Sequence, residues 1–72
     1  MSEFVLINNI KKYRKERGWT QKELAKRCLT TKNTISGLEN RNYNPSAYLA
    51  AILCVVFDVS FEDLFYLSTR KD

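Results

Sequence analysis

The chain has 72 residues, and 12 lysines and arginines against 8 aspartates and glutamates give it a formal net charge of +4. This length suffices for one domain, and a chain so short buries only about 60% of its unfolded surface. The sequence has no histidine, which excludes Ser-His and Cys-His nucleophile pairs and histidine-ligated zinc. Its two cysteines are too few for a four-thiolate site. We therefore expect no enzyme, no metal site and no cofactor.

The remaining bulk properties favour a folded, helix-rich protein of the cytoplasm. Apolar residues make up 44% of the chain, and glycine and proline together number three. No apolar run approaches the roughly 18 residues of a membrane span, and the N-terminus has no export signal. Cys28 and Cys54 fall on apolar helical faces, so we expect them to be small buried hydrophobic residues.

Charge is distributed unevenly along the chain. Residues 1–41 contain ten basic and four acidic side chains, for a net charge of +6, whereas residues 42–72 have a net charge of −2. A polyanionic partner would therefore meet the first half. The apolar and mildly acidic second half suits a core or a contact with protein.

The first elements are an apolar run and a short helix. The run at Phe4–Ile7 is either a strand or an apolar lead-in. Asn8 or Asn9 can cap a first helix, which is expected to end at Gly18 because glycine accepts a left-handed backbone.

Two short helices follow, joined by a tight turn. Thr20 and Glu23 form a capping box that starts the second helix, which is expected to end near Cys28. After the turn, Thr31 can cap a third helix that extends to about Asn40.

The last predicted helices are apolar. A fourth helix starts after Pro45 with Ser46 as its cap, is apolar nearly all round, and ends at Asp58. Ser60 starts a short fifth helix that runs from Phe61 to about residue 65. The predicted fold is therefore all-α.

Two capped helices joined by a tight turn in a basic domain can place the second helix in the DNA major groove. Lys32 can bind guanine, Asn33 adenine, and Thr34 the thymine methyl group, with Ser36 as a further hydrogen-bonding group. Gly37, on the same face, would permit close approach of the helix to the bases. The alternative is that this is merely a solvated helix face.

Phosphate contacts are predicted at the start of the second helix and at both ends of the third. The amide of Gln21 and the free backbone N–H groups near it lie where a phosphate could bind. The full set of predicted phosphate contacts is Thr20, Gln21, Lys22, Thr31, Asn40 and Arg41.

Three segments resemble the phage-repressor (Cro-like, or XRE) helix-turn-helix family. They read WTQKELA at 19–25, TKNTISGLE at 31–39 and YNPS at 43–46, and the likeness spans about residues 8–67. The chain is most similar to the minimal members typified by the cytolysin repressor. That resemblance implies a five-helix, lambda-repressor-like domain with a small antiparallel hairpin of the chain ends, here Phe4–Ile7 and Phe65–Leu67. It also implies a cytoplasmic, nucleoid-associated homodimer of a prokaryote or phage, which reads a two-fold operator.

One departure from the family concerns the turn. Leu29 and Thr30 stand where family members usually have Gly and Val. Because a leucine disfavours left-handed backbone, we expect a somewhat different turn here.

The resemblance also implies roles for residues outside the two helices. Arg14 and Glu39 would form a partly buried ion pair between the first and third helices. The candidates for a dimer face, with intramolecular packing as the alternative, are Tyr43, Asn44, Phe61, Phe65 and Tyr66.

The function predicted from these observations is a sequence-specific regulator of transcription that binds double-stranded DNA, most simply a dimeric repressor. The alternative is an antitoxin-type interaction module, in which the apolar second half would bind a toxin.

Overall fold

The computed structural model describes residues 3–70, with Arg70 described by its backbone alone. In chain order the elements are β1 (Glu3–Asn8), α1 (Ile10–Glu16), α2 (Gln21–Arg27), α3 (Lys32–Glu39), α4 (Ala47–Phe57), α5 (Phe61–Leu64) and β2 (Phe65–Arg70). The five predicted helices are confirmed. A two-stranded sheet accompanies them, so the fold is not purely α. Within residues 3–70, no helix has the length and apolar character needed to cross a membrane.

The sheet joins the two ends of the described chain. β1 and β2 pair antiparallel, with Leu6 opposite Leu67 and Ile7 opposite Tyr66. Of the two readings of residues 4–7, the strand is therefore correct. Both strands are longer than predicted.

Hydroxyl side chains begin four of the described helices, as the sequence predicted. Thr20, Thr31, Ser46 and Ser60 each accept a hydrogen bond from the backbone N–H three residues later. Such a cap satisfies one of the N–H groups that the first helical turn leaves without a partner. The short elements consequently begin at defined residues.

The start of α1 is built differently. Asn9 is its N-cap residue, but the side chain makes no capping bond and donates instead to the carbonyl of Asp63, at 3.0 Å. The Asn8 side-chain oxygen accepts from the N–H of Ile10, at 3.2 Å. Asn8 thus caps the start of α1, and Asn9 links that start to α5.

A residue with left-handed backbone follows each of the helices α1 to α4. Gly18, Leu29, Arg41 and Asp58 have φ angles of 72°, 57°, 58° and 57°. In the turn between α2 and α3, Leu29 donates to the carbonyl of Lys26 and Thr30 donates to that of Ala25, the pattern of a Schellman motif. The expectation that leucine would alter this turn is therefore wrong.

The core lies between the helices and one face of the sheet. Ile10, Leu24, Ile35, Leu53 and Phe57 are all fully buried within it. The rings of Tyr13 and Trp19 pack on Phe57, with centroids 5.8 and 5.9 Å away. Tyr13 and Trp19 thus pack against the core through Phe57.

The two cysteines are thiols in apolar surroundings. Cys28 is buried and Cys54 is half-buried, and burial raises the pKa of both thiols. Their predicted role as small hydrophobic residues agrees with this placement.

Phe65 requires a correction. It was a candidate for the dimer face, but it is only 1% exposed and belongs to the core. Its ring contacts that of Phe61, with centroids 5.0 Å apart. β2 begins at this residue, and the first side chain of the strand points into the domain. Phe65 therefore anchors the sheet to the helices.

Candidate nucleic-acid interface

The capping box fixes the first helix of the candidate interface. The Glu23 N–H donates to the Thr20 hydroxyl at 3.0 Å, and the Thr20 N–H donates to the Glu23 carboxylate at 2.9 Å. Hydrogen bonds from the backbone and then the side chain of Thr20 hold the pKa of Glu23 below its ordinary value. The glutamate thus stays ionised at neutral pH beside the positive end of α2.

The third helix turns a polar face away from the core. Ile35 and Leu38 are fully buried, whereas Lys32 and Asn33 are exposed and Ser36 is half-exposed. These polar residues are on the opposite side of a helix with 3.6 residues per turn. The structure therefore brings three of the predicted base-contact residues together on one accessible surface.

Thr34 lies at the edge of that surface. Its N–H donates to the Thr31 hydroxyl at 3.2 Å, and the two hydroxyl oxygens are 3.0 Å apart. Thr34 is half-buried, and its hydroxyl takes part in the cap of α3. Its methyl group remains the part suited to contact with thymine.

Gly37 requires a second correction. It was predicted to let the helix approach the bases closely, but it is buried beneath the ring of Tyr43. A Cβ atom built on Gly37 would lie 2.5 Å from Cζ and 2.7 Å from Cε2 of that ring. The space above this glycine is filled by the protein itself, so Gly37 is not a base-contact residue.

The predicted ion pair is a bidentate contact in the structure. Arg14 Nε lies 2.7 Å from Glu39 Oε2, and Arg14 Nη2 lies 3.1 Å from Glu39 Oε1. The two side chains are 10% and 3% exposed. The third donor of the arginine, Nη1, binds the Trp19 carbonyl at 2.8 Å. The pair therefore joins α1, the following loop and α3.

Gln21 contributes to the same cluster. Its Nε2 atom donates to Glu39 Oε1 at 3.0 Å, and its side chain is half-buried. The amide nitrogen has two hydrogens, so one of them remains for another acceptor. Gln21 thus ties the start of α2 to the end of α3 and keeps a donor for the predicted phosphate.

The other residues predicted to contact phosphate are on the surface. Thr20, Lys22, Thr31, Asn40 and Arg41 are all exposed. Further exposed cations on the same half of the chain are Lys11, Lys12, Lys15, Lys26 and Arg27. Arg27 stacks on the indole of Trp19, at 4.1 Å from the ring centroid. The half with α2 and α3 is thus covered by positive charge.

The remaining candidates for the dimer face are exposed. Tyr43, Asn44, Phe61 and Tyr66 all reach solvent, although Tyr43 also packs on α3. Sequence reasoning missed the more exposed apolar residues Phe4 and Leu67 of the sheet and Tyr48 and Val55 of α4.

Two contacts of α3 were also missed. The Asn8 side chain donates to the Leu38 carbonyl at 2.9 Å, and the ring of Tyr43 lies on Gly37. The first spans 30 residues and has no sequence signature. The second had one, because a glycine inside a helical pattern marks a position where a side chain is disfavoured or excluded.

Comparison with known proteins identifies the family. The helix-turn-helix family HTH_3 matches residues 10–64. An uncharacterized HTH-type transcriptional regulator of Archaeoglobus fulgidus is 45% identical over 62 residues, which cover 86% of this chain and 89% of that protein. The HTH-type regulator YgzD of Bacillus subtilis is 33% identical over 64 residues, with 89% and 97% covered.

A further relative is larger. The competence pilus inhibition repressor of Acinetobacter baylyi is 39% identical over 59 residues, which cover 82% of this chain and 54% of the repressor. The family match at residues 10–64 includes α1 to α5, and the Arg14–Glu39 pair lies within it. The chain therefore belongs to the XRE-type helix-turn-helix family of transcriptional regulators.

Proposed function

We propose that the protein is a dimeric transcriptional repressor that binds double-stranded DNA and reads a two-fold operator through α3. The observation that carries this proposal is the exposed polar face of α3, which is backed by the bidentate Arg14–Glu39 pair. Because the pair holds the inner side of α3 in place, the helix presents Lys32, Asn33 and Ser36 in a fixed arrangement. Fixed geometry is what bidentate contacts with base edges require.

The residues divide into two roles. Lys32, Asn33, Thr34 and Ser36 read bases, because they line or border the outward face of α3. The exposed polar side chains at the helix ends hold the phosphates and supply most of the affinity. That second group is Thr20, Gln21, Lys22, Thr31, Asn40 and Arg41.

Dimerisation is supported by apolar surface in the second half of the chain. Tyr66 is about half exposed on one face of the sheet. Phe61 is half exposed as well, and Phe4 and Leu67 extend the opposite, apolar face of the sheet beyond the core. A second copy would cover such a patch and bury surface that a 72-residue chain cannot bury alone. Two copies would place their α3 helices one DNA turn apart, about 34 Å.

The test is selection of bound fragments from genomic DNA, with the mass of the complex measured on the best sequence. We expect an enriched two-fold sequence, two chains per site, and affinity that falls steeply as salt rises. No enriched sequence at moderate salt would refute specific recognition. A single chain that becomes ordered only with another protein would favour the antitoxin-type alternative.

The Leu67→Ser variant tests the dimer separately. Leu67 is exposed in one copy, so its loss leaves the monomer fold intact, and we expect weaker self-association by sedimentation. Glu16→Ser, at an exposed position on α1, is the control. Equal self-association in both variants would exclude this face of the sheet.

A further inference from the structure

Gly37 sits in the middle of α3 for a reason other than backbone conformation. Among the glycines, the left-handed φ angle belongs to Gly18, whereas Gly37 lies within regular helix. Glycine at this position destabilises the helix, because its helix propensity is low and regular helical backbone does not require it. What it provides is space, and the ring of Tyr43 fills that space.

The tyrosine is fastened to α3 at several points. Its hydroxyl lies 3.4 Å from the carbonyl oxygens of both Asn33 and Thr34, between which its single hydrogen is shared. The chain between helix and ring is also bound to the helix end. Arg41 donates to the Leu38 carbonyl at 3.0 Å, and Asn42 donates to the Gly37 carbonyl at 2.9 Å.

The contact lies beside the proposed base-reading surface. Gly37 is one helical turn after Asn33, so the two share a face of α3. The core and the Arg14–Glu39 pair hold the inner side of this eight-residue helix. Tyr43 is the element that holds its outer side.

We propose that Tyr43 is a positioning residue, which fixes the orientation of α3 toward DNA by seating its ring on Gly37. The proposal rests on the proposed function, because it assigns the tyrosine an effect on base reading. Rotation of α3 about its axis would move Asn33 and Ser36 away from their base edges. The ring on Gly37 opposes that rotation from the solvent side.

Three variants separate the ring, the hydroxyl and the space beneath them. Tyr43→Ala removes the ring, and Tyr43→Phe keeps the ring but removes the hydroxyl. Gly37→Ala leaves the tyrosine in the chain but displaces it, because the new Cβ atom meets the far end of its side chain. Tyr48→Ala is the matched control, since this exposed tyrosine lies on α4.

The first measurement is the ratio of affinities for the selected operator and for scrambled DNA of equal length. We expect Tyr43→Ala and Gly37→Ala each to lower this ratio about tenfold, with scrambled binding unchanged. Tyr43→Phe should retain most of the selectivity, and Tyr48→Ala should equal wild type. The double variant Gly37→Ala/Tyr43→Ala should be no worse than either single variant, because both remove the same contact.

The second measurement is hydrogen exchange of the α3 amides without DNA. The N–H groups of Gly37 and Leu38 bind the carbonyls of Asn33 and Thr34, so displacing the ring should speed their exchange. Unchanged exchange in both Tyr43→Ala and Gly37→Ala would overturn the proposal that Tyr43 positions α3. This measurement needs no DNA, so it tests that proposal even if the wild-type protein did not select a DNA sequence and the proposed function failed. Wild-type selectivity in Gly37→Ala, with loss in Tyr43→Ala alone, would also overturn it and assign Tyr43 to the dimer.

Discussion

The two halves of the chain expose different kinds of surface. In residues 3–41 the exposed side chains are mostly lysine, arginine and short polar groups, and a buried polar cluster lies behind α3. In residues 42–70 several exposed side chains are large and apolar, including Tyr48, Val55 and Leu67. The first surface suits a solvated polyanion, and the second suits another protein surface.

The same difference appears between two single helices. α3 contains Lys32 and Glu39 and buries one stripe, whereas α4 contains no charged residue and still leaves Tyr48 and Val55 mostly exposed. A helix that is apolar all round is expected in a core. An exposed apolar side on such a helix indicates that a small domain lacks enough partners to cover it.

The largest effect is expected from the buried ion pair of the first half. Arg14→Met leaves the Glu39 carboxylate, which is 3% exposed, without its bidentate partner. We expect the free energy of unfolding to fall by about 3–5 kcal/mol, since an uncompensated buried charge is costly. Urea unfolding followed by circular dichroism measures the change.

Two further variants make this prediction specific. Lys15→Met removes an exposed positive charge from the same helix, and its effect should stay within about 0.5 kcal/mol. The double variant Arg14→Met/Glu39→Met should recover most of the stability, because no buried charge remains. Equal losses for Arg14→Met and Lys15→Met would show that the pair contributes little.

The next effect concerns the DNA binding that is proposed for the first half of the chain. Asn33→Ala should lower discrimination at one base pair by about 1–3 kcal/mol, because it removes the side chain that is proposed to make a bidentate contact with adenine. Lys22→Ala should instead weaken binding to every sequence alike and reduce the salt dependence by about one counterion. Binding curves on operator and scrambled DNA at several salt concentrations measure both.

A control from the other half sharpens the comparison. Val55→Ser changes the exposed side of α4 and should leave both DNA measurements at the wild-type value. If Asn33→Ala and Lys22→Ala gave the same uniform loss, the division into base and phosphate contacts would be wrong. If Val55→Ser also weakened operator binding, the exposed side of α4 would take part in the dimer that binds the operator.

Local rules predicted much of this fold from the sequence. The caps at Thr20, Thr31, Ser46 and Ser60 depend on residues three positions apart, so the sequence contains the whole signal. The Arg14–Glu39 pair, in contrast, was implied by family resemblance alone. Nothing local pairs two residues 25 positions apart.

The failures also have physical causes. The contact between Tyr43 and Gly37 was not predicted, because a large aromatic residue in a loop shows no sign of an intramolecular partner. The ring of Tyr43 reaches Gly37 only once the loop folds back over α3. Leu29 adopts a left-handed backbone against its own preference, because the Schellman hydrogen bonds of the α2 end require one.

Leu29 gives the smallest predicted effect, within the half of the chain that is proposed to bind DNA. Leu29 is 91% exposed, so its side chain contributes little burial energy, and its φ of 57° costs about 1 kcal/mol. Leu29→Gly should therefore raise the free energy of unfolding by about 1 kcal/mol, and Tm by about 4–8 °C. Thermal unfolding followed by circular dichroism measures it.

Gly18→Ala tests the same backbone cost, here as a loss in the free energy of unfolding. Gly18 ends α1 at the corresponding position, with φ of 72°, and no atom lies within 4 Å of a Cβ placed there. Its substitution therefore adds backbone strain without a clash, and we expect a loss of about 1 kcal/mol. A gain from Leu29→Gly without a loss from Gly18→Ala would mean that Leu29 is strained by its neighbours rather than by its backbone. A gain in the free energy of unfolding from Leu29→Gly and a loss of similar size from Gly18→Ala would assign the cost to the left-handed backbone itself. Leu29 would then bear that cost because the Schellman hydrogen bonds at the end of α2 require a left-handed residue there.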